Sequence, residues 1–307
     1  MLKLSKKSLQ SLDNFFKESA RNLEKYLYLY HFREGNPQDI IEVLKNYQNE
    51  DGGFGNALEP DFRLPDSSPL ATSIGLRTID RMDGLKYAEQ IVKAAINYLE
   101  STFNEERKGW YALPPEVNDY PHTPWWHYDE EKEMTVIDLN WGNPTAEILA
   151  YLYKYRDFVE RLDIEYLIDY ALYYIDNKQK FESENELFCY IRLYDVLPKN
   201  YKRKLEKNIS RGISQMISYN RQKWIEYVPQ PLDFVPDPEK DKFGISKAKI
   251  KENLDFYVNL LEKKGVITPP WGDSYYQDDL EPAYDEWKGI LTLKIIKRLD
   301  NYDRIER

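Results

Sequence analysis

Cysteine occurs once in this 307-residue chain, at Cys189, so no intrachain disulfide can form. No CxxC or HExxH spacing offers a ready zinc site, and the sequence assigns no metal and no cofactor. The neighbours of Cys189 in LFCYIRLYDVL are apolar at helical spacing, so a buried structural thiol is expected. Glycine is sparse at 13 residues, and no Gly-rich phosphate loop, GxSxG elbow or EF-hand spacing occurs, which argues against nucleotide, serine-hydrolase and calcium chemistry. Basic charge is short as well. With 43 Lys+Arg against 53 Asp+Glu the formal net charge is −10, and a nucleic-acid partner, which needs a basic face to release counterions, is not expected. No apolar run reaches the roughly 18 residues of a membrane span. The first residues, MLKLSKKSLQSLDNFF, have neither the apolar core nor the cleavage site of a secretory signal, so the expected location is cytoplasmic.

Aromatic residues are abundant, at 15% of the chain from 26 Tyr, 12 Phe and 7 Trp. Many ride on stripes with helical period. Leu9, Leu12, Phe16, Ala20, Leu23, Leu27 and Tyr30 predict one opening helix over residues 5–32, a stretch without Pro or Gly. Asn36-Pro37 starts a second helix that must end by Asp51-Gly52-Gly53. Further stripes run through residues 91–99, 148–155, 167–175, 205–217, 254–261 and 291–299. Strand-type alternation is not sustained anywhere, so the expected class is all-α with about ten to twelve helices.

A repeat organises these helices: a helix, a Gly-aromatic turn, a polar loop containing proline, then a helix that starts with small residues. Phe54, Trp110 and Trp271 mark the turns, and Thr72, Thr145 and Thr292 lie in the following helices. Hairpins that cannot bury their apolar faces alone must stack on neighbours, in an open solenoid or a closed ring. About five to six hairpins suit a closed α/α toroid, a single domain over residues 1–307.

The segment YQNEDGGFGNALEPD, residues 47–61, resembles the Q-x-x-D-G-G-F/W repeat of squalene-hopene cyclases and protein prenyltransferase β subunits. The match is good from Gln48 to Phe54, while the second and third copies keep a Gly and an aromatic but lack the Gln. The overall order is also similar to an uncharacterised bacterial family with this repeat, which carries no activity to transfer. The resemblance implies an (α/α) barrel in which the Gln and the aromatic tie adjacent hairpins together around a central ligand cavity. Neither the D-x-D-D acid of the protonating cyclases nor the zinc ligands of the prenyltransferases is found.

Candidate chemistry falls in the loops. In PPEVNDYPHTPWW, Glu116 and His122 are acid/base candidates, with Asn118 as a hydrogen-bonding group and Trp125 and Trp126 as walls of a site. The same residues equally suit capping of loop amides and plugging of the ring. Glu59 and Asp61, with Arg63 beside them, are further acid/base candidates, or else make an ion pair and Asx-turns that hold their loop. Trp110, Trp271 and Asp273 are expected to line the ligand at the same mouth. Glu147, near the start of an apolar helix, either points into the cavity or is an acidic residue favoured in a first helical turn. Asn143 and Ser68 read as helix caps.

The expected protein binds a small molecule in an aromatic and acidic central cavity. Three functions are compatible with it: an enzyme related in fold to the cyclases and prenyltransferases, acting on an isoprenoid or other apolar substrate; a carbohydrate-active or sugar-binding protein using paired carboxylates and Trp platforms; or a non-catalytic interaction scaffold.

Overall fold

The structure, a computed structural model, describes residues 1–82 and 85–307. Among the described residues 62% are helical, in twelve α-helices, and the only strands are two residues long each. The protein is therefore all-α. In chain order the helices are α1 (Lys6–Glu18), α2 (Asn22–Phe32), α3 (Pro37–Leu44), α4 (Pro69–Asp80), α5 (Leu85–Ser101) and α6 (Gly142–Lys154). They continue with α7 (Ile164–Asn177), α8 (Glu184–Val196), α9 (Lys199–Met216), α10 (Pro231–Phe234), α11 (Lys247–Lys264) and α12 (Glu281–Asn301). No helix among the described residues is long and apolar enough to cross a membrane.

Local sequence sets most of the helix starts. Ser68 Oγ accepts the Ala71 amide with Pro69 in the first turn, and Asp163, Ser183 and Ser246 cap α7, α8 and α11 in the same way. Asn36 Oδ1 accepts the Gln38 amide at the head of α3. Asn143, at the head of α6, has an extended backbone (φ −109, ψ 111) immediately before Pro144 and is buried, with its Oδ1 3.7 Å from Cys189 Sγ. The single opening helix expected over residues 5–32 is two helices. The chain leaves α1 at Ser19 and turns extended at Arg21, and Phe16 then stacks on Tyr28 at 4.3 Å while Tyr28 donates to Asp13. Folding back lets the two halves of one apolar stripe bury each other, a gain that periodicity alone does not reveal.

The chain divides into two compact units, one of residues 41–215 and one of residues 1–40 with 216–307. In the first, α6 is buried on every side from Gly142 to Leu152 and packs against α4, α7 and α8. α4 is nearly as enclosed and also packs against α5. An all-round buried helix is the core of its layer; α6 and most of α4 are that core here, and α8 covers α6 with one buried face. In the second unit α12 packs against α2 and α11, and α11 against α10. Leu4 pairs with Ile305 beside α1, and Arg304 is held there by Leu2 O and Asp255.

The repeat has a definite hydrogen-bond basis. The Phe54 amide donates to Thr72 Oγ1 at 2.9 Å, the Trp110 amide to Thr145 Oγ1 at 3.1 Å, and the Ile267 amide to Thr292 Oγ1 at 2.9 Å. All three threonines are fully buried. The third bond corrects the reading of Trp271 as a turn marker, because the residue that occupies the position of Phe54 and Trp110 is Ile267. In the first copy, Gln48 Nε2 bonds both Gly52 O at 2.9 Å and Ile91 O of α5 at 3.0 Å. Gly52 has φ +88, and a Cβ there would lie 2.4 Å from Ala94 O, so this turn needs glycine.

Candidate ligand site

In the unit of residues 41–215 the loop after the first turn meets the long loop before α6. The Arg63 amide donates to Pro121 O and the Thr123 amide to Asp61 O, both at 2.8 Å, and Phe62 pairs with His122 as an antiparallel bridge. Asp61 is buried, and its Oδ2 accepts the Trp125 indole N–H at 3.0 Å. Trp126 is buried edge-on against Phe62. The long loop itself is ordered by short 3-10 turns at Pro115–Asp119, Pro124–Trp126 and Val136–Leu139 and by the pairing of Tyr128–Asp129 with Met134–Thr135.

Several residues expected to touch ligand have other work in this loop. Asn118 spends its amide on the backbone of Tyr128, donating to Tyr128 O and accepting the Tyr128 amide, both at 2.9 Å. Trp110 is wholly enclosed and donates its indole N–H to Leu99 O at 2.7 Å, so it is a core side chain rather than a wall. Glu116 is exposed on its 3-10 turn and Glu59 is half-buried. His122 brings its Nδ1 within 2.6 Å of Tyr120 O and its Nε2 within 3.1 Å of His127 Nδ1.

Trp271 and Asp273 belong to the other unit. There Trp271 packs edge-on against Trp287 and Tyr227 and donates to Tyr276 OH at 2.5 Å, while Asp273 is exposed and its carbonyl accepts the Tyr276 amide. The same unit holds a half-buried charge cluster of its own: Asp233 caps the Gln230 amide and pairs with the buried Arg298 at 2.8 Å and the exposed Lys294 at 3.4 Å.

Glu147 on α6 has the most distinctive surroundings. Its side chain is 3% exposed, yet its oxygens meet Arg77 Nε of α4 at 2.8 Å, Arg192 Nε of α8 at 3.2 Å and the Tyr151 hydroxyl at 3.0 Å. Cys189 Sγ lies 3.8 Å from the other oxygen, in line with the expected buried thiol. Burial would raise the Glu147 carboxyl, but the Arg192 and Arg77 guanidiniums and the Tyr151 hydroxyl outweigh it and hold the group below the usual carboxylate range. Burial and the Glu147 charge together push the Cys189 thiol and the Tyr151 phenol up, so both stay protonated.

A third guanidinium joins the first two. Arg81, one turn beyond Arg77 at the end of α4, makes no side-chain hydrogen bond or ion pair among the described residues. Its pKa is lowered, first by desolvation among the surrounding protein atoms and then by Arg77 and Arg192, although the side chain keeps access to solvent and the guanidinium stays protonated. Arg77 and Arg192 keep about a quarter of their side-chain surface accessible, and Arg81 is exposed. Two arginines thus pair with one carboxylate, and a third lies near enough to feel their charge, in a chain whose net charge is −10. The chain matches no family model, no curated protein and no solved structure.

The expected acidic lining is therefore inverted at this point: Glu147 is an anchor for arginines. Arg77, Arg81, Arg192 and Tyr151 escaped sequence reasoning because they lie within apolar helical stripes. The one available signal was the spacing of Arg77 and Arg81, four residues apart and so on one face of α4.

Proposed function

We propose that this protein is a small-molecule-binding α/α toroid whose ligand presents an anionic group to Arg81, Arg77 and Arg192, with Glu147 holding two of the guanidiniums in place. The single observation that carries the reading is Arg81, an accessible guanidinium with no carboxylate partner among the described residues, beside two other guanidiniums. Like charges gathered in one cluster oppose one another, and a bound carboxylate, sulfate or phosphate relieves that opposition through charge-assisted, bidentate hydrogen bonds. The succession of inner helices α4 and α6, with α5, α7 and α8 packed beside them, supports the toroid. On this reading the protein is an enzyme related in fold to the cyclases and prenyltransferases, acting on a substrate with an apolar body and an anionic end.

Thermal unfolding of the full chain with increasing inorganic phosphate, sulfate and diphosphate tests it, with sodium chloride of equal ionic strength as control. Ligand at 100 times its Kd adds about 2.7 kcal/mol to the native state. The expected result is a saturable rise in Tm with at least one of these anions that Arg81→Gln and Arg192→Gln both remove. An equal response in wild type and Arg81→Gln overturns the proposal.

A further inference from the structure

We infer that His122 and His127 form a two-imidazole site for a late first-row divalent cation of the Zn2+ or Cu2+ class. Tyr120 O can only accept, so at 2.6 Å the Nδ1 of His122 carries the proton and its Nε2 presents a lone pair. That lone pair faces His127 Nδ1 at 3.1 Å, with the ring planes within 15° of parallel. Without metal, the proton on His127 Nδ1 bridges the two nitrogens.

Nitrogens bound to one such cation lie about 2.0–2.1 Å from it, which places two neighbouring ligand atoms about 2.9 to 3.4 Å apart for angles between square and tetrahedral. The His122–His127 separation falls within that span. The cation replaces the bridging proton, which moves to His127 Nε2, and the exposed His127 ring rotates to aim its Nδ1 lone pair at the same point. A carbonyl that accepts the remote N–H of a ligating imidazole fixes its tautomer and orientation, and Tyr120 O already does this for His122.

The backbone around both rings is tied down. Pro121 O and the Thr123 amide on either side of His122 bond to the Arg63 amide and Asp61 O, the His127 amide bonds to Pro124 O at 3.3 Å, and the adjacent Tyr128 amide is held by Asn118. The backbone that carries both rings is therefore ordered before a cation arrives, and the ordering cost is confined to rotation of the His127 ring. No third His, Cys, Asp or Glu joins the pair among the described residues. Water or an atom of a bound molecule completes the coordination. Imidazole ligands favour Cu2+ over Ni2+ and Zn2+, and exclude Mg2+.

Calorimetric titration of the full chain with Zn2+, Ni2+, Cu2+ and Mg2+ near pH 7.5 tests the inference. One saturable site is expected for the first three and none for Mg2+, lost at least tenfold in affinity in either His122→Gln or His127→Gln and kept in His31→Gln. Retention of the site in the double variant His122→Gln/His127→Gln overturns it, as does the absence of saturable Cu2+ binding to wild type. Should His122→Gln fail to fold, the imidazole nitrogen resonances of the wild type give an independent reading: Zn2+ must shift those of His122 and His127 and leave His31 in place.

Discussion

Thr145 Oγ1 accepts the Trp110 amide at 3.1 Å across 35 residues, and both residues are fully buried. The same bond joins Thr72 to Phe54 and Thr292 to Ile267, so one hydroxyl satisfies the turn amide in each copy of the repeat.

Valine keeps the shape of threonine and removes the hydroxyl, leaving a buried amide without an acceptor. Thr145→Val and Thr72→Val are each expected to cost about 1–3 kcal/mol in denaturant unfolding. Thr123 is the contrasting case: it is buried, but its Oγ1 has no hydrogen-bond partner among the described residues. Thr123→Val is expected to be neutral or mildly stabilising. A loss there as large as that of Thr145→Val contradicts the account.

Glu147 neutralises part of a cationic cluster, and removing one partner of a buried charge network leaves the others uncompensated. Glu147→Gln is expected to cost about 3–5 kcal/mol near pH 7. The sign of its pH dependence follows from a folded-state pKa held below the ordinary 4.5. The stabilisation is complete above that ordinary value and disappears as pH falls through the lower folded value. Urea midpoints of wild type and Glu147→Gln should converge as pH drops below about 4.5 and stay apart above it.

Arg81 makes no ion pair among the described residues, so its removal forfeits none of theirs. In anion-free buffer Arg81→Gln should match wild-type stability within about 0.5 kcal/mol or exceed it slightly. A clear loss of Tm in the variant at neutral pH contradicts the unpaired assignment.

Asn118 clamps the two ends of the segment that carries both loop histidines. Asn118→Ala should destabilise the protein by about 1–2 kcal/mol and speed hydrogen exchange of the Tyr128 amide selectively. Unchanged exchange at Tyr128 contradicts the clamp.

Much of the helical architecture was legible in the chain. Serine, asparagine and proline at the helix starts, and apolar residues three and four apart, act through neighbours in sequence, so Ser68, Asn36 and the α7 and α11 stripes announced themselves. The break at Ser19 to Arg21 did not, since neither Pro nor Gly marks it and the gain comes from Phe16 meeting Tyr28. Trp271 looked like the third turn marker because it is aromatic and near glycine, whereas the selecting force is an amide within reach of Thr292, a condition that Ile267 meets. In the candidate site, the loop cluster of Asp61, His122, Trp125 and Trp126 was visible as polar and aromatic residues in two loops. Their contact was expected, but the individual bonds were not.

What the sequence by itself determined is the class of structure: helix-forming periodicity, capping residues and a thrice-used threonine, all consequences of short-range geometry. Only the tertiary structure decided the electrostatics. Arg77 and Glu147 are 70 residues apart and meet because α4 and α6 pack together, with Arg192 added from α8. Charge is felt through space, and no local pattern in the chain shows that an acidic protein pairs two arginines from different helices with one buried carboxylate.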